Sequence, residues 1–258
     1  MIEHRARKRF GQNFLHDPAV IQRIVRAIAP QPGDHLVEIG PGLGALTAPL
    51  LAASGRLDVI ELDRDLAAHL PVALAGQGEL VVHQADALRF DFSRLAGGGR
   101  LRVVGNLPYN ISTPLLFHLF AQHDVIDDMH FMLQREVVDR LVARPGQRGW
   151  SRLSVMAAWY VSATYLLDVG PGAFRPAPKV DSAVVRLIPH AHPPSDAVTS
   201  EALARVVTAA FSQRRKTLRN SLRNLLDEAA IRAAGVDPLA RVERLSLDDF
   251  VQLTRQLP

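Results

Sequence analysis

Through the first two-thirds of the chain, short apolar runs alternate with stretches whose apolar positions recur at helical spacing. Residues 35–39, 57–62, 80–83, 101–105 and 129–133 are such runs and predict strands. Residues 43–53, 64–74, 114–122 and 135–142 carry the helical period. Strands alternating with helices predict an α/β fold, a parallel sheet covered on both faces. Ligands of such sheets sit beyond the carboxyl ends of the strands, so the strand-end residues are the ones to inspect. Asp17-Pro18 and Thr113-Pro114 each place a capping side chain before a proline and predict helix starts there.

The alternation ends at residues 189–196, a stretch rich in proline and histidine without apolar period, which predicts a linker. Helical spacing returns over residues 201–211, 217–227 and 247–256. The expected organisation is a sheet domain over 1–189 with a basic arm at 1–17, a linker at 190–198, and a small all-helical domain over 199–258.

Composition narrows the classes of function. Of 258 residues, 48% are hydrophobic, enough for a sizeable core, yet no apolar run reaches the roughly 18 residues of a membrane span. The basic start, Met1 to Phe10, is followed by no apolar segment, so no secretory signal is expected. The chain has no cysteine, which excludes disulfides and thiolate metal sites. A soluble cytoplasmic protein is expected. The net charge of +4 is unevenly spread. Arg5, Arg7, Lys8 and Arg9 crowd the start; Arg214, Arg215, Lys216, Arg219 and Arg223 crowd a later stretch with no acid among them. Clustered cations suit a polyanion partner, because each neutralised phosphate releases counterions; a solvated surface face is the plainer alternative.

The first strand runs into Glu38-Ile39-Gly40-Pro41-Gly42-Leu43-Gly44. Glycines at alternate positions permit a tight turn and close approach of a ligand to the backbone. The spacing differs from the dinucleotide fingerprint, and no Gly-Lys-Ser/Thr follows, so a triphosphate loop is excluded. Glu61 ends the second strand and Asp86 follows the third. A carboxylate at the first position can accept both ribose hydroxyls, and one at the second can accept from an adenine amino group. Either acid alone could simply cap a following helix. Together, in this order on one sheet edge, they point to an adenosyl ligand.

The fourth strand ends in Asn106-Leu107-Pro108-Tyr109. The N6 lone pair of adenine is delocalised into the ring, so N6 must pyramidalise to attack a methyl sulfonium. The Asn106 side-chain oxygen and the Leu107 carbonyl are candidate acceptors for its two N–H groups. Pro108 fixes a backbone angle in the turn that aims them. Tyr109 offers a face for stacking, worth about 1–3 kcal/mol per base. An ordinary Asn-x-Pro turn is the structural alternative. No metal site is expected: His190 and His192 lack a third ligand. Trp150, Trp159 and Tyr160 read as packing residues.

Several segments together resemble a known family. They are Gly11-Gln12-Asn13-Phe14-Leu15, the Glu38 to Gly44 loop, Val59-Ile60-Glu61-Leu62-Asp63, and the run from Asn106 through Pro114. They continue with Phe174-Arg175-Pro176-Ala177-Pro178-Lys179-Val180-Asp181-Ser182 and the run from Gln213 through Leu222. The chain resembles the ribosomal RNA adenine N6,N6-dimethyltransferases, the bacterial KsgA/RsmA family, across nearly its whole length. The resemblance implies a Rossmann-like S-adenosylmethionine-dependent methyltransferase domain and a small helical C-terminal domain. It implies that Asn13 and Leu15 close the cofactor pocket, Gly40 meets the methionine part, Glu61 the ribose and Asp86 the adenine. Asn106 and Leu107 would hold the target N6, with Tyr109 and Phe174 on opposite faces of the base. Ala177 stands where some relatives carry a third proline. The implied substrate is a pair of neighbouring adenosines near the 3′ end of small-subunit rRNA in a partly assembled subunit, each methylated twice. A monomer is expected.

On this reading Arg215, Arg219 and Arg223 would share one face of a C-terminal helix, with Leu218, Leu222 and Leu225 on another. The competing readings are a large-subunit rRNA adenine methyltransferase, a DNA adenine methyltransferase, and an assembly factor whose catalysis is dispensable.

Overall fold

The structure is a computed structural model that describes residues 12–213 and 215–258. Most of the expected N-terminal arm, including Gly11, and Arg214 lie outside the described residues. The element order is β1 (Phe14–Leu15), α1 (Pro18–Ile28), β2 (Leu36–Ile39), α2 (Thr47–Ser54), β3 (Arg56–Glu61), α3 (Arg64–Ala73), β4 (Glu79–Gln84), α4 (Ser93–Ala96), β5 (Leu101–Asn106) and α5 (Ser112–Phe120). It continues with β6 (Ile126–Gln134), α6 (Arg135–Val142), α7 (Arg152–Tyr160), β7 (Val161–Val169), β8 (Phe174–Arg175) and β9 (Ser182–Pro189). Four helices close the chain: α8 (Ser200–Phe211), α9 (Leu218–Leu222), α10 (Glu228–Ala233) and α11 (Leu247–Thr254).

Seven strands form one sheet in the order β4-β3-β2-β5-β6-β9-β7. The five that the sequence pattern predicts, β2 to β6, pair in parallel. The sheet as a whole is mixed rather than parallel, because β9 runs antiparallel to β6. Leu36, Leu57, Val103 and Phe131 are fully buried at its centre. From β2 the chain steps outward through β3 and β4, then returns to the other side of β2 as β5. Neighbouring strands therefore feed connections in opposite directions, and a crevice opens beyond β2 and β5.

Local chemistry sets the helix starts. Asp17 caps α1 with Oδ1, which accepts from the backbone N–H of Ala19 and Val20 at 2.8 and 3.1 Å, and Pro18 occupies the first turn. The second expected start is displaced: α5 begins at Ser112, so Thr113 lies inside the first turn and caps nothing. A proline tolerates any first-turn position, since those N–H groups have no intrahelical acceptor. The first predicted helix likewise starts late, at Thr47, because residues 43–46 are spent on the turn leaving the glycine loop.

By contacts the chain divides into two units: Met1–Val138 with Thr164–Pro189, and Asp139–Ala163 with His190–Pro258. Asp139–Tyr160, the stretch before β7, thus groups with the C-terminal helices, unlike the division expected from the sequence. Within that second unit Trp150 Nε1 donates to the Leu245 carbonyl at 3.0 Å, and the rings of Phe211 and Phe250 stack with centroids 5.9 Å apart. The expected helix over 217–227 is cut short: α9 ends at Leu222, and α10 begins only at Glu228. Asp227 accepts from Ala230 N–H at 2.8 Å as the cap of α10, a role its short carboxylate fills better than a helix interior. Arg215 precedes α9 and Arg223 follows its last helical residue, so the three arginines form no ridge on one helix face. Leu226, not Leu225, joins Leu218 and Leu222 in the core.

Candidate active site

Gly40, Gly42 and Gly44 have φ of 67°, 58° and 87°, a region that side chains with a Cβ rarely enter. The loop is tied across the sheet edge. Gly40 N–H donates to the Ile60 carbonyl at 2.9 Å, and Gly42 N–H donates to Glu61 Oε2 at 3.2 Å. A Cβ on Gly42 would stand 3.1 Å from the Phe14 ring. Gly105, which the sequence reading gave no part, lets β5 approach β2: a Cβ there would stand 2.5 Å from the Ile39 carbonyl. A glycine inside a strand was the available signal.

Beyond the carboxyl ends of these strands lies a cavity of about 280 Å³. Asn13, Leu15, Gly40, Glu61, Asp86, Asn106, Leu107, Pro108 and Tyr109, separated by up to 96 positions in sequence, all line it. Glu61 is oriented from two sides, since Oε1 also accepts from Asp63 N–H at 2.8 Å. It does not cap α3; Asp63 does, accepting from Asp65 N–H. Burial raises the Glu61 carboxyl above its ordinary range, against the lowering effect of the Asp63 and Gly42 N–H donors. Asp86 Oδ1 accepts from Leu88 N–H at 3.0 Å, and the next helix begins only at Ser93.

Glu38 also lines the cavity. Its side chain is buried, and among the described residues Oε2 has no hydrogen-bond partner. Burial, reinforced by the nearby Glu61 charge, pushes its carboxyl up to about 8. The sequence placed Glu38 at the head of the loop and assigned it nothing. Its alternation in a strand gave no hint that it would face a cavity lined by a second acid.

Asn106 Nδ2 donates to the Asn13 carbonyl at 3.1 Å. A carbonyl can only accept, so the amide nitrogen must face Asn13 and Oδ1 is directed elsewhere. Leu107 N–H is taken by the Met132 carbonyl at 3.1 Å. The Tyr109 hydroxyl lies 2.6 Å from Ser182 Oγ. Burial raises the Tyr109 phenol, and the Ser182 bond partly offsets this.

Phe174 is placed differently from the expectation. It pairs with Leu15 across the two-stranded β1–β8 ladder, is 2% exposed, and packs in an apolar cluster with Ile24, Ile28 and Val184. It does not line the cavity. A phenylalanine has no polar group to hold it at a wet edge, and the apolar cluster takes it in. In this conformation it offers no face to a base.

Arg215, Lys216, Arg219 and Arg223 are exposed residues of the helical unit, and Arg219 pairs with Glu228 at 3.4 Å. His190 Nε2 contacts the Ala158 carbonyl at 3.1 Å. Among the described residues there is no group of three or more histidines and acids that could hold a metal, and no helix long and apolar enough to cross a membrane.

Comparison with known proteins agrees with this geometry. A ribosomal RNA small subunit methyltransferase A of Methylococcus capsulatus is 63% identical over 256 residues, covering 99% of this chain and 99% of that protein. Its namesake in Pseudomonas aeruginosa is 58% identical over 258 residues, covering 100% and 96%. Among solved structures, a dimethyladenosine transferase from Plasmodium falciparum superposes with a TM-score of 0.76 at 25% identity, over 93% of this chain and 95% of that one. The 23S rRNA methyltransferase ErmE superposes with 0.73 at 29% identity, over 95% and 99%. A family model described as ribosomal RNA adenine dimethylase matches residues 3–257. A match of that extent takes in the glycine loop, the two strand-end acids and the Asn106 turn alike, and the chain belongs to the ribosomal RNA adenine dimethylase family.

Proposed function

We propose that this enzyme transfers methyl groups from S-adenosylmethionine to N6 of two adjacent adenosines near the 3′ end of small-subunit rRNA, giving N6,N6-dimethyladenosine. The observation that carries the reading is the pinned amide of Asn106, which turns a fixed acceptor oxygen away from the N-terminal segment.

The cavity's chemistry fits the donor. Glu61 and Asp86 supply carboxylates for ribose hydroxyls and an adenine amino group, Gly40 admits close backbone approach, and Asn13 and Leu15 close the near side. The buried Glu38 carboxyl suits a cationic ligand. When bound, S-adenosylmethionine supplies an electrophilic methyl on sulfur.

This chain's own residues then position the nucleophile. Asn106 Oδ1 and the Leu107 carbonyl accept from the two N6–H groups and favour a pyramidal nitrogen whose lone pair leaves the ring. Pro108 stiffens the turn between them, and Tyr109 stacks on one face of the extruded base. Extrusion costs a few kcal/mol, which stacking partly offsets. Bound there, S-adenosylmethionine would give its methyl to N6 and leave as a thioether, and N6, held by this turn, would lose a proton to solvent. Catalysis rests on alignment and on fixed dipoles. In the second round N6 keeps one N–H, so one acceptor suffices and the space of the other must admit a methyl group.

Arg215, Lys216, Arg219 and Arg223, with Arg214, are assigned to rRNA phosphates on the strength of their clustering and exposure. We assign as substrate the RNA of a partly assembled subunit in the cytoplasm, and a monomer as the acting form. Incubation of the purified enzyme with methyl-labelled S-adenosylmethionine and small- or large-subunit particles tests the reading. Label confined to small-subunit RNA supports it; label confined to large-subunit RNA, or no label, contradicts it.

A further inference from the structure

We propose that Ser182 is the positioning residue for Tyr109: its buried hydroxyl holds in place the ring against which the target adenine stacks. The inference rests on the methyl-transfer reading above and names a residue that reading does not use.

Ser182 opens β9 and is fully buried. Its backbone is fixed by the sheet, opposite Gln134 at the end of β6. The residue before it is fixed too, since the Asp181 carbonyl accepts from Arg135 N–H at 3.0 Å. Its Oγ is therefore a stationary point. Tyr109 sits in the loop after β5, where no ladder holds it. Ser112 Oγ donates to its carbonyl at 3.2 Å and anchors the main chain, but the side chain could still swing about χ1 between staggered wells. The 2.6 Å bond from Tyr109 Oη to Ser182 Oγ fixes the far end of the ring. With both ends held, the long axis of the ring is fixed.

A half-buried phenol could satisfy its hydroxyl with water, so satisfaction alone does not call for a buried serine. What the serine adds is direction. That matters because the other aromatic candidates are committed elsewhere: Phe174 lies in the core and Phe14 packs on Gly42. Tyr109, three residues after Asn106, lines the cavity. The two holds on this turn also converge. Asn106 is tied to Asn13, and Tyr109 to Ser182. Residues 14–15 and 174–175, which lie between those anchors in the chain, are joined by the β1–β8 ladder.

A double-mutant cycle tests this on the full-length enzyme with S-adenosylmethionine and small-subunit particles. Ser182→Ala and Tyr109→Phe each break the same bond from opposite ends. Each is expected to lower kcat by about tenfold, with KM for particles and the donor Kd held within about twofold, because aim is lost and not binding. The double variant is expected to be no slower than either single one, since there is one bond to lose. A merely structural serine gives the opposite pattern: effects that multiply in the double variant, with weakened donor binding and a lowered melting temperature. That result, or a Tyr109→Phe enzyme with full kcat, overturns the proposal. Tyr109→Phe leaves β9 untouched and so remains decisive if Ser182→Ala folds poorly. A wild-type enzyme that moves no methyl would instead sink the functional reading on which the cycle depends.

Discussion

The side-chain amide of Asn106 and the main-chain carbonyl of Asn13, 93 residues apart, are joined by a 3.1 Å hydrogen bond. That bond settles which end of the amide faces the N-terminal segment, and so which end is left for a substrate. It also makes Asn13, just before β1, part of what holds the Asn106 turn, in addition to lining the cavity.

Removing this amide should therefore damage two things at once. Asn106→Ala deletes the fixed acceptor, and loss of one preorganised group of this kind costs roughly 10²–10³ in kcat. Asn13 also loses a bond to the turn, so donor affinity should fall as well. Single-turnover methylation and calorimetric donor titration separate the two effects. Near-normal turnover would show that the acceptor is not needed.

Gly42 tests the loop. Alanine there combines a left-handed φ of 58° with a Cβ 3.1 Å from the Phe14 ring. The backbone strain is about 1–2 kcal/mol. Because Phe14 belongs to the same ladder that seats Leu15, the ring cannot retreat freely. Gly42→Ala should weaken donor binding by about tenfold or more while unfolding remains cooperative, measured by titration and thermal melting.

Glu38 predicts an unusual pH dependence. Its carboxyl titrates near 8 in the fold against 4.5 as the ordinary value. The folded state thus binds a proton that the unfolded state has released, and stability of the donor-free protein should fall as pH rises from about 4.5 to about 8, then level. Glu38→Gln removes the ionisable group. It should flatten that slope and raise stability near neutrality by an amount on the order of 3 kcal/mol. A cationic donor favours the ionised carboxylate, so donor affinity should climb with pH over the same range in the wild type and not in the variant. Denaturant melts and donor titrations across pH measure both.

The opposite sign applies at the other end of the strands. Asp128, 6% exposed, is bonded twice by Arg102 at 3.1 Å. Burial alone would raise its carboxyl, but nearby His130 and the Arg102 pairing outweigh it and bring it down to about 2. His130 Nδ1 stands 3.6 Å from Oδ1, beyond a hydrogen bond, so Arg102 is the partner that holds the carboxylate. This contribution is present above the ordinary carboxylate range and lost as pH falls from about 4 to about 2, and it amounts to roughly 2 kcal/mol. Asp128→Asn should lower stability at neutral pH by at least that much and remove this segment of the acid transition.

What could be read from the residues was local. The glycine loop, Glu61, and the turn from Asn106 to Tyr109 are legible because strand ends and turn chemistry are set by neighbours in sequence. The parallel strands were legible for the same reason, since each is a continuous apolar run. β7 and β9 escaped because their place depends on sheet pairing, β9 on β6 and β7 on β9, rather than on alternation with helices. The helix expected over 217–227 stops at Leu222, and Asp227 caps the next helix instead of extending it. The long-range attachments were invisible: the Asn13 hold on Asn106, the Ser182 hold on Tyr109, and the burial of Phe174 each join segments far apart in the chain.

The account turns on where methyl groups are placed. The measurement that tests it most directly is nuclease digestion and mass spectrometry of small-subunit RNA after incubation with the enzyme and S-adenosylmethionine carrying a heavy methyl group. The account predicts two adjacent adenosines near the 3′ end, each bearing two heavy methyl groups on N6, and none with Asn106→Ala. Heavy methyl on any other base or atom, or unmethylated adenosines at that position, would contradict it.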